Sequence, residues 1–321
     1  METIIYDDPD QCRRVWEKLW PGKGLFDLWQ VRSCFHDVFS RPLHFRVVEK
    51  NNRPVGFLAL CWDGEKQKYV QFPGETWQGK TWLEQNKIIA QTPEVMAELL
   101  DSIPGPVHLR YMEWNPVLGL SNRLGIDEIG YCFYPALHNF SFENYMQSFS
   151  GKFRKKLKAD LKKLNDREVS FRFNDPKDID HLFRLNQESF GPASYFSEAK
   201  FYASFESLAA FLSKMGMMRI TTVLIDGAVA AVDMGALFKN SYTLLAGGTN
   251  PEFPGVAKLI NLHHLDWSCA QGIDTVDFLC GDFNWKERFH LTARPLYELK
   301  INNALIYNDL VFETKGQKIC A

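Results

Sequence analysis

The sequence lacks the patterns of a disulfide-rich or metal-binding protein. Its seven cysteines are scattered and odd in number, and no two of them stand at CxxC spacing. They predict reduced, mostly buried thiols rather than a disulfide framework. His263 and His264 are neighbours, but no further ligand stands near them at metal-binding spacing. We therefore expect no metal site.

Long apolar runs and a strong charge of one sign are also missing. No apolar stretch approaches the roughly 20 residues that a membrane span needs. The first ten residues, METIIYDDPD, are acidic and lack the apolar core of a signal peptide. We therefore expect a cytoplasmic protein that does not span a membrane. The net charge of −2 argues against a dedicated nucleic-acid binder, so DNA is not an expected partner.

The composition is that of a globular enzyme. A chain of 321 residues, 45% of them hydrophobic and 24% charged, can bury one large core or two smaller ones. No serine or cysteine stands in a recognisable nucleophile elbow, so a covalent intermediate is not implied.

The most informative segment comprises residues 242–289, YTLLAGGTNPEFPGVAKLINLHHLDWSCAQGIDTVDFLCGDFNWKERF. The pattern predicts a strand at 242–246, a helix after Pro254-Gly255, and a second strand at 275–279. Five mostly apolar side chains recur at helical spacing: Val256, Leu259, Ile260, His263 and Trp267. The start of such a helix offers backbone N–H groups and a positive dipole end to an anion such as a pyrophosphate. The alternative is an ordinary βαβ crossover without a ligand.

The rest of the second half predicts an ordered series of elements. A strand at 169–173 precedes helices at 177–190 and 198–215, and strands at 219–225 and 228–238 form a hairpin around Asp226-Gly227. After the crossover, a short helix near 284–290 and a strand at 296–301 complete the order.

The first half repeats this order in weaker form. Two helices, at 9–20 and 26–39, precede a hairpin of strands 45–50 and 55–62 around Asn51-Asn52. A strand at 68–72, a helix at 93–102, and strands at 107–113 and 128–134 follow. No Pro-Gly turn opens this crossover helix. The alternative is that any two α/β halves look alike at this level of detail.

The element order resembles the GNAT acyltransferases, and its tandem form resembles two groups within them. These are the Fem-type aminoacyl transferases and the acetyltransferases of cellulose and exopolysaccharide synthesis. The second group has a basic helix opening the second domain, here SGKFRKKLK at 150–158, and a Gly-acid turn with an aromatic-Lys pair, here GDFNWK at 281–286. Trp285 replaces the usual tyrosine. The loop NPEFPG at 250–255 lacks the several glycines of standard acetyl-CoA loops, which leaves the acyl carrier open.

The resemblance implies an α/β (α+β) fold of two tandem GNAT-like domains, each a mixed, mostly antiparallel sheet flanked by helices. We expect a degenerate domain at 1–140 and a domain with the donor loop at 141–321, with a cleft between them. The implied donor is acetyl-CoA or another acyl-CoA. Its phosphates are expected near the start of the crossover helix, at Asn250, Gly255, Val256, Ala257 and Lys258.

Three residues are candidates for catalysis. Lys286 follows a ring near the Gly-Asp turn, where an ammonium can pair with a donor phosphate or steady an oxyanion. Asp233 interrupts an apolar strand, and a buried strand carboxylate needs a partner or a task, so Asp233 or Glu75 is the expected base. The alternatives are a solvated lysine and carboxylates with structural roles.

Aromatic and acidic residues are candidates for acceptor binding. Trp77 and Trp82 lie in a loop dense in glycine and carboxylate, where rings can stack on a sugar. Trp285 and Asp282 flank the second turn, although Asp282 can equally cap the short helix. The basic helix at 152–163 is either a solvated face or a contact for an anionic donor, acceptor or lipid surface.

The sequence therefore predicts an acyltransferase that moves an acyl group from CoA to an amine or hydroxyl of a sugar or cell-envelope precursor. A Fem-type transferase that takes its acyl group from aminoacyl-tRNA is the first alternative, and tRNA is a partner only in that case. A non-enzymatic binding module on the same fold is the second.

Overall fold

The computed structural model describes residues 1–101, 103–118, 124–281 and 284–302. The chain divides into two compact units. Among the described residues, unit 1 comprises those of Met1–Ile129 and those from Pro295 to 302, and unit 2 comprises those of Gly130–Arg294. The predicted division at 140/141 stays a prediction.

Within the described residues, unit 1 contains three α-helices and eight strands or parts of strands. In chain order these are β1 (Glu2–Tyr6), α1 (Pro9–Leu19), a 3-10 turn (Leu25–Asp27), α2 (Trp29–Phe39), β2 (Leu43–Lys50), β3 (Arg53–Asp63), β4 (Lys68–Gln71), β5 (Ile89–Ala90), α3 (Pro93–Leu100), β6 (Val107–Met112), the start of β7 (Leu124–Phe133) and most of β13 (Thr292–Ile301). Helices α1 and α3 both begin at a capping side chain, Asp8 or Thr92, that accepts a first-turn N–H.

The sheet of unit 1 has the order β1-β2-β3-β4-β6-β13, and β5 pairs with β3. Neighbouring strands are antiparallel except β4 and β6, which are parallel and are joined through α3. The hairpin at Asn51-Asn52 is confirmed, and both residues have positive φ. Strand β1 is absent from the sequence-based prediction.

Two apolar clusters pack against the sheet of unit 1. One contains α3 with aliphatic residues of β3 and β6. The other contains α1 and α2 and is rich in rings, including Trp16, Trp20, Trp29, Phe45, Phe57 and Phe72. Arg32 is fully buried in the second cluster, where it donates to the carbonyls of Phe26 and Phe72 and to Asn86.

Unit 2 repeats this succession of elements. After the end of β7 come a 3-10 turn (Pro135–His138), α4 (Phe142–Gln147), α5 (Gly151–Asn165), β8 (Val169–Phe173), α6 (Asp178–Phe190), 3-10 turns (Gly191–Ala193 and Tyr195–Ser197), α7 (Ala199–Lys214), β9 (Met218–Ile225), β10 (Ala228–Phe238), β11 (Ser241–Thr249), α8 (Val256–Ala270), β12 (Thr275–Cys280), α9 (Trp285–Arg288) and the start of β13.

The sheet of unit 2 has the order β8-β9-β10-β11-β12-β7, with the same pattern of directions as unit 1. Only β11 and β12 are parallel, and α8 joins them. In each unit, the strand that follows the parallel pair in the sheet comes from the other half of the chain. Strand β13 lies beside β6 in unit 1, and β7 lies beside β12 in unit 2. The predicted fold of two GNAT-like repeats is confirmed.

Candidate functional site

Two parallel strands of unit 2 separate halfway along their length. Strands β11 and β12 pair from Ser241↔Thr275 to Thr243↔Asp277, and their pairing ends there, although β11 continues to Thr249. The edge of β11 beyond Thr243 therefore carries backbone groups that β12 does not pair within the described residues. The carboxyl ends of parallel strands are where α/β sheets bind ligands.

Helix α8 begins directly beyond this edge. Gly255, the residue before its first turn, has a φ of +98°, a conformation that favours glycine. Asn250 accepts a hydrogen bond from the N–H of Glu252 through its side chain, which fixes the loop between strand and helix. The backbone N–H groups of Val256 and Lys258 donate to the carbonyls of Phe253 and Gly255.

The five predicted donor-binding residues thus lie together, but they differ in exposure. Val256 is buried in the core beside Leu164, so its side chain is not available to a donor. Ala257 is exposed and Lys258 is half-buried at the first turn of the helix. An anion at this helix start would contact the backbone and the Lys258 side chain.

The basic helix α5 packs against the start of α8. The carbonyl of Asp160 lies 3.5 Å from the position of a Cβ on Gly255, and the Asp160 carboxylate pairs with the Lys258 ammonium. Ser150 caps the start of α5, because its hydroxyl accepts from the N–H of Phe153. The lysines predicted to be either a solvated face or an anion contact therefore belong to a helix that borders the expected donor-phosphate position.

Asp233 on β10 has a buried partner that sequence reasoning did not assign. It is 5% exposed, and its Oδ2 lies 2.9 Å from Nε2 of the fully buried His264 on α8. Gly247 stands opposite Asp233 on β11, and a Cβ there would lie 2.3 Å from Asp233 Oδ1. The missing side chain leaves room for the carboxylate over the part of β11 that has separated from β12.

Three further polar groups lie near this pair or in the neighbouring strands. Tyr242 Oη, Thr221 Oγ1 and His264 Nδ1 are buried and have no hydrogen-bond partner among the described residues. Burial, with a smaller effect from the Asp233 charge, raises the pKa of Tyr242 well above its usual value. Tyr242 is therefore a neutral phenol whose ring lies 5.3 Å from that of His264. Buried polar groups of this kind usually hold an ordered water or serve a reaction.

Lys286 is buried and its ammonium is surrounded by backbone carbonyls. Nζ donates to the carbonyls of Phe278 and Leu279 at 2.9 Å and of Cys280 at 2.8 Å. Three acceptors match the three N–H donors of an ammonium. These contacts hold the end of β12, where Leu279 has a positive φ. A catalytic role for Lys286 stays a prediction.

The other predicted residues of the second turn have structural neighbours or lie outside the described residues. Trp285 is half-buried and its ring packs edge-on against Phe278 and Phe289. Asp282 lies outside the described residues. An acceptor contact for either residue stays a prediction.

Glu75, Trp77 and Trp82 lie in unit 1. The Glu75 carboxylate is buried and accepts from the Thr81 hydroxyl and the N–H groups of Trp82 and Leu83. Burial raises its pKa despite these hydrogen bonds. Trp82 packs between Phe26 and Phe35, whereas Trp77 lies in a tight turn with Lys80.

The described residues contain no group of three or more histidine, cysteine, aspartate or glutamate side chains placed to hold a metal ion. Among the helices of the described ranges, none combines the length and the apolar character needed to cross a bilayer.

Comparison with known families identifies the second half of the chain. Residues 151–287 match the acetyltransferase (GNAT) domain family. This segment is similar to GNAT acetyltransferase domains, and the fold of the chain contains two GNAT-like units. No curated protein sequence matches the chain significantly.

Solved structures share the fold over nearly the whole chain. FemX superposes with a TM-score of 0.58 at 11% identity, covering 97% of this chain and 98% of FemX. A conserved protein of unknown function from Bacteroides thetaiotaomicron VPI-5482 has a TM-score of 0.57 at 12% identity, covering 94% and 100%. L-PGS from Bacillus licheniformis has a TM-score of 0.55 at 12% identity, covering 95% of each chain. At these identities the likeness shows the fold.

Proposed function

We propose that the protein transfers an acyl group, with acetyl as the first choice, from CoA to an amine or hydroxyl. The observation that carries this proposal is the separation of β11 from β12 directly before the start of α8. A GNAT domain with an open strand edge beside a helix start offers one continuous surface to an extended donor with a pyrophosphate at one end.

The donor is proposed to lie along β11. The amide groups of its pantetheine arm can pair with the β11 edge beyond Thr243, as an added strand would. Its pyrophosphate then reaches Gly255, Ala257 and Lys258, where the helix dipole favours an anion. The Lys258 ammonium must in that case share its charge between the phosphate and Asp160.

Asp233 is proposed as the general base, positioned by His264. The carboxylate takes the proton of the acceptor amine or hydroxyl, and the nucleophile attacks the thioester carbonyl carbon. Backbone N–H groups of β11 stabilise the oxyanion until it collapses and expels the CoA thiolate. Support comes from the Asp233 carboxylate lying over Gly247, on the part of β11 beyond its pairing with β12.

The acceptor class and the location rest on the resemblance to polysaccharide-linked acetyltransferases. We propose a sugar or cell-envelope precursor as acceptor, a role in exopolysaccharide synthesis, and a cytoplasmic location. Thiol release from acetyl-CoA, measured with amino sugars, nucleotide sugars and peptide-bearing envelope precursors, tests the acceptor directly. Turnover with none of these acceptors would contradict it.

A matched pair of glycine variants tests the donor position. Gly255→Trp places a large side chain at the start of α8, whereas Gly272→Trp places it beyond the end of the same helix. Both glycines have positive φ, so both variants carry some backbone strain. Only Gly255→Trp should weaken acetyl-CoA binding, by about tenfold or more. Equal affinity in both variants would contradict the donor position.

One observation favours an aminoacyl-tRNA donor as a second candidate. The lysine-rich helix α5 borders the start of α8, so a donor with many phosphates would meet further positive charge beyond Lys258. Under this candidate, exchanging Lys155 and Lys156 for alanine weakens aminoacyl-tRNA binding and flattens its salt dependence. Acetyl-CoA turnover that is unaffected by the same variants supports the first candidate.

A further inference from the structure

Unit 1 contains a polar cavity that the proposed transfer site does not use. It lies between the ends of β3 and β4, the loop at 74–81 and the strand β6, and it encloses about 30 Å³ before it opens to solvent. A volume of this size holds one or two small groups such as water or ammonium. Its lining includes two acidic residues, Asp63 and Glu75.

Asp63, one of the lining residues, has a carboxylate oxygen without a hydrogen-bond donor among the described residues. The residue is fully buried, and its Oδ1 accepts from Arg41 Nη1 at 2.6 Å and from the N–H of Glu65 at 3.1 Å. Its Oδ2 is buried and has no hydrogen-bond partner in the described part of the chain. A carboxylate oxygen can only accept, so its partner has to be an N–H or O–H donor.

The donor that fits best is a primary ammonium. Leaving a buried carboxylate oxygen unpaired is costly, and a charged donor forms the stronger hydrogen bond. Glu75 lines the same cavity and is 1% exposed, so the lining contains a second acidic residue beside Asp63. An ammonium also carries three N–H donors on a small head group.

The cavity lining also carries positive charge. Lys66 and Lys68 belong to it, and Lys68 stands opposite Asp63 in the β3–β4 pairing. The exposed Lys66 places its ammonium beside Gly79, where a Cβ would lie 3.2 Å from Nζ. Lys68 donates to His108 Nδ1 at 2.9 Å, which directs its ammonium along the wall formed by β6.

We propose that this cavity binds a small zwitterion, with a primary ammonium against Asp63 and an anionic group against Lys66 and Lys68. The ligand class comprises amino acids and aminoalkyl phosphates. The site lies entirely within unit 1 and does not depend on the proposed transferase reaction.

Binding of O-phosphoethanolamine and glycine to the full chain, measured by calorimetry, tests the proposal and separates phosphate from carboxylate ligands. Phosphocholine is the matched control, because its quaternary ammonium has no N–H donor. We expect at least one of the two zwitterions to bind about tenfold or more tightly than phosphocholine, ethanolamine or inorganic phosphate.

Variants locate the binding within the cavity. Asp63→Asn keeps the shape of the side chain but removes its charge. Lys66→Ala changes only an exposed side chain, so this variant still tests the proposal if Asp63→Asn fails to fold. Each should weaken zwitterion binding several-fold or more, whereas Asp226→Asn in unit 2 should not. No binding up to about 10 mM, equal binding of phosphocholine, or undiminished binding by Lys66→Ala would overturn the proposal.

Discussion

Single buried polar groups carry much of the site's structure, and Lys286 is the clearest case. Lys286→Met leaves three carbonyls at the end of β12 without their donor. We expect it to lower the free energy of unfolding by about 2–4 kcal/mol, measured by urea denaturation. The exposed Lys214→Met is the matched control and should change stability by less than about 0.5 kcal/mol. Unchanged stability in Lys286→Met would show that the end of β12 does not depend on these three hydrogen bonds.

Asp233 offers a test of chemistry rather than stability. Asp233→Asn preserves the size of the side chain and a hydrogen bond to His264 but cannot take a proton. We expect turnover to fall by about two to four powers of ten, with donor affinity nearly unchanged. The exposed turn residue Asp226, changed to asparagine, serves as control. A pH–rate profile that keeps its acidic limb in Asp233→Asn would identify another group as the base.

His263 predicts a loss of stability in mild acid. Burial, with smaller effects from His264 and Arg219, lowers the pKa of His263 to about 4 from its ordinary value of 6.5. Between these pH values His263 binds a proton in the unfolded chain but stays neutral in the folded chain. The free energy of unfolding therefore falls as the pH drops from about 6.5 toward 4.

His263→Phe removes this proton linkage while keeping a ring against Phe171. Over this pH range we expect the free energy of unfolding to fall by about 1–3 kcal/mol less in the variant than in the parent. The figure is set below the full effect of the pKa shift because His263 is partly exposed to solvent. Urea denaturation at successive pH values measures the slope, with His181→Phe as control. Parallel slopes in parent and His263→Phe would show that His263 does not resist protonation.

At the scale of elements, the packing of α6 on β11 depends on a glycine. A Cβ on Gly248 would lie 2.6 Å from the carbonyl of Leu182 and 2.9 Å from Leu185 Cβ. Gly248→Ala should therefore push α6 from the sheet and cost about 1–3 kcal/mol. Gly151→Ala, where a Cβ meets nothing within 4 Å, should be neutral or stabilising. Similar stabilities of the two variants, measured by thermal denaturation, would contradict this packing.

The elements themselves are largely readable from the sequence, because turn chemistry and periodicity are local. Asp226-Gly227 and Asn51-Asn52 have positive φ at both positions, as their hairpins require. Strand β1 escapes because five residues give little alternation. The contacts of Lys286 and His264 escape for another reason: their partners, carbonyls of β12 and Asp233, are set by tertiary packing. A carboxylate inside an apolar strand was the one local signal of a buried pair.

At the scale of the whole molecule, strands β7 and β13 limit where the chain can be divided, because each pairs with a strand from the other half of the sequence. Strand β12 pairs with β7 through Val276↔Phe133, Asp277↔Cys132 and Cys280↔Gly130. A fragment of residues 141–302 lacks β7, whereas a fragment of residues 124–302 retains it. We expect the longer fragment to be the more stable and the less prone to aggregation, because β12 keeps its partner. Equal thermal stability of the two fragments would favour the simple division at 140/141.

The central claim is that unit 2 binds an acyl-CoA along the free edge of β11 and at the start of α8. Hydrogen–deuterium exchange of the full chain, with and without acetyl-CoA, measures this most directly. Binding should slow exchange in peptides covering residues 244–258 and leave residues 1–101 unchanged, and Gly255→Trp should abolish the effect. Exchange at 244–258 that is the same with and without about 1 mM acetyl-CoA would contradict the account.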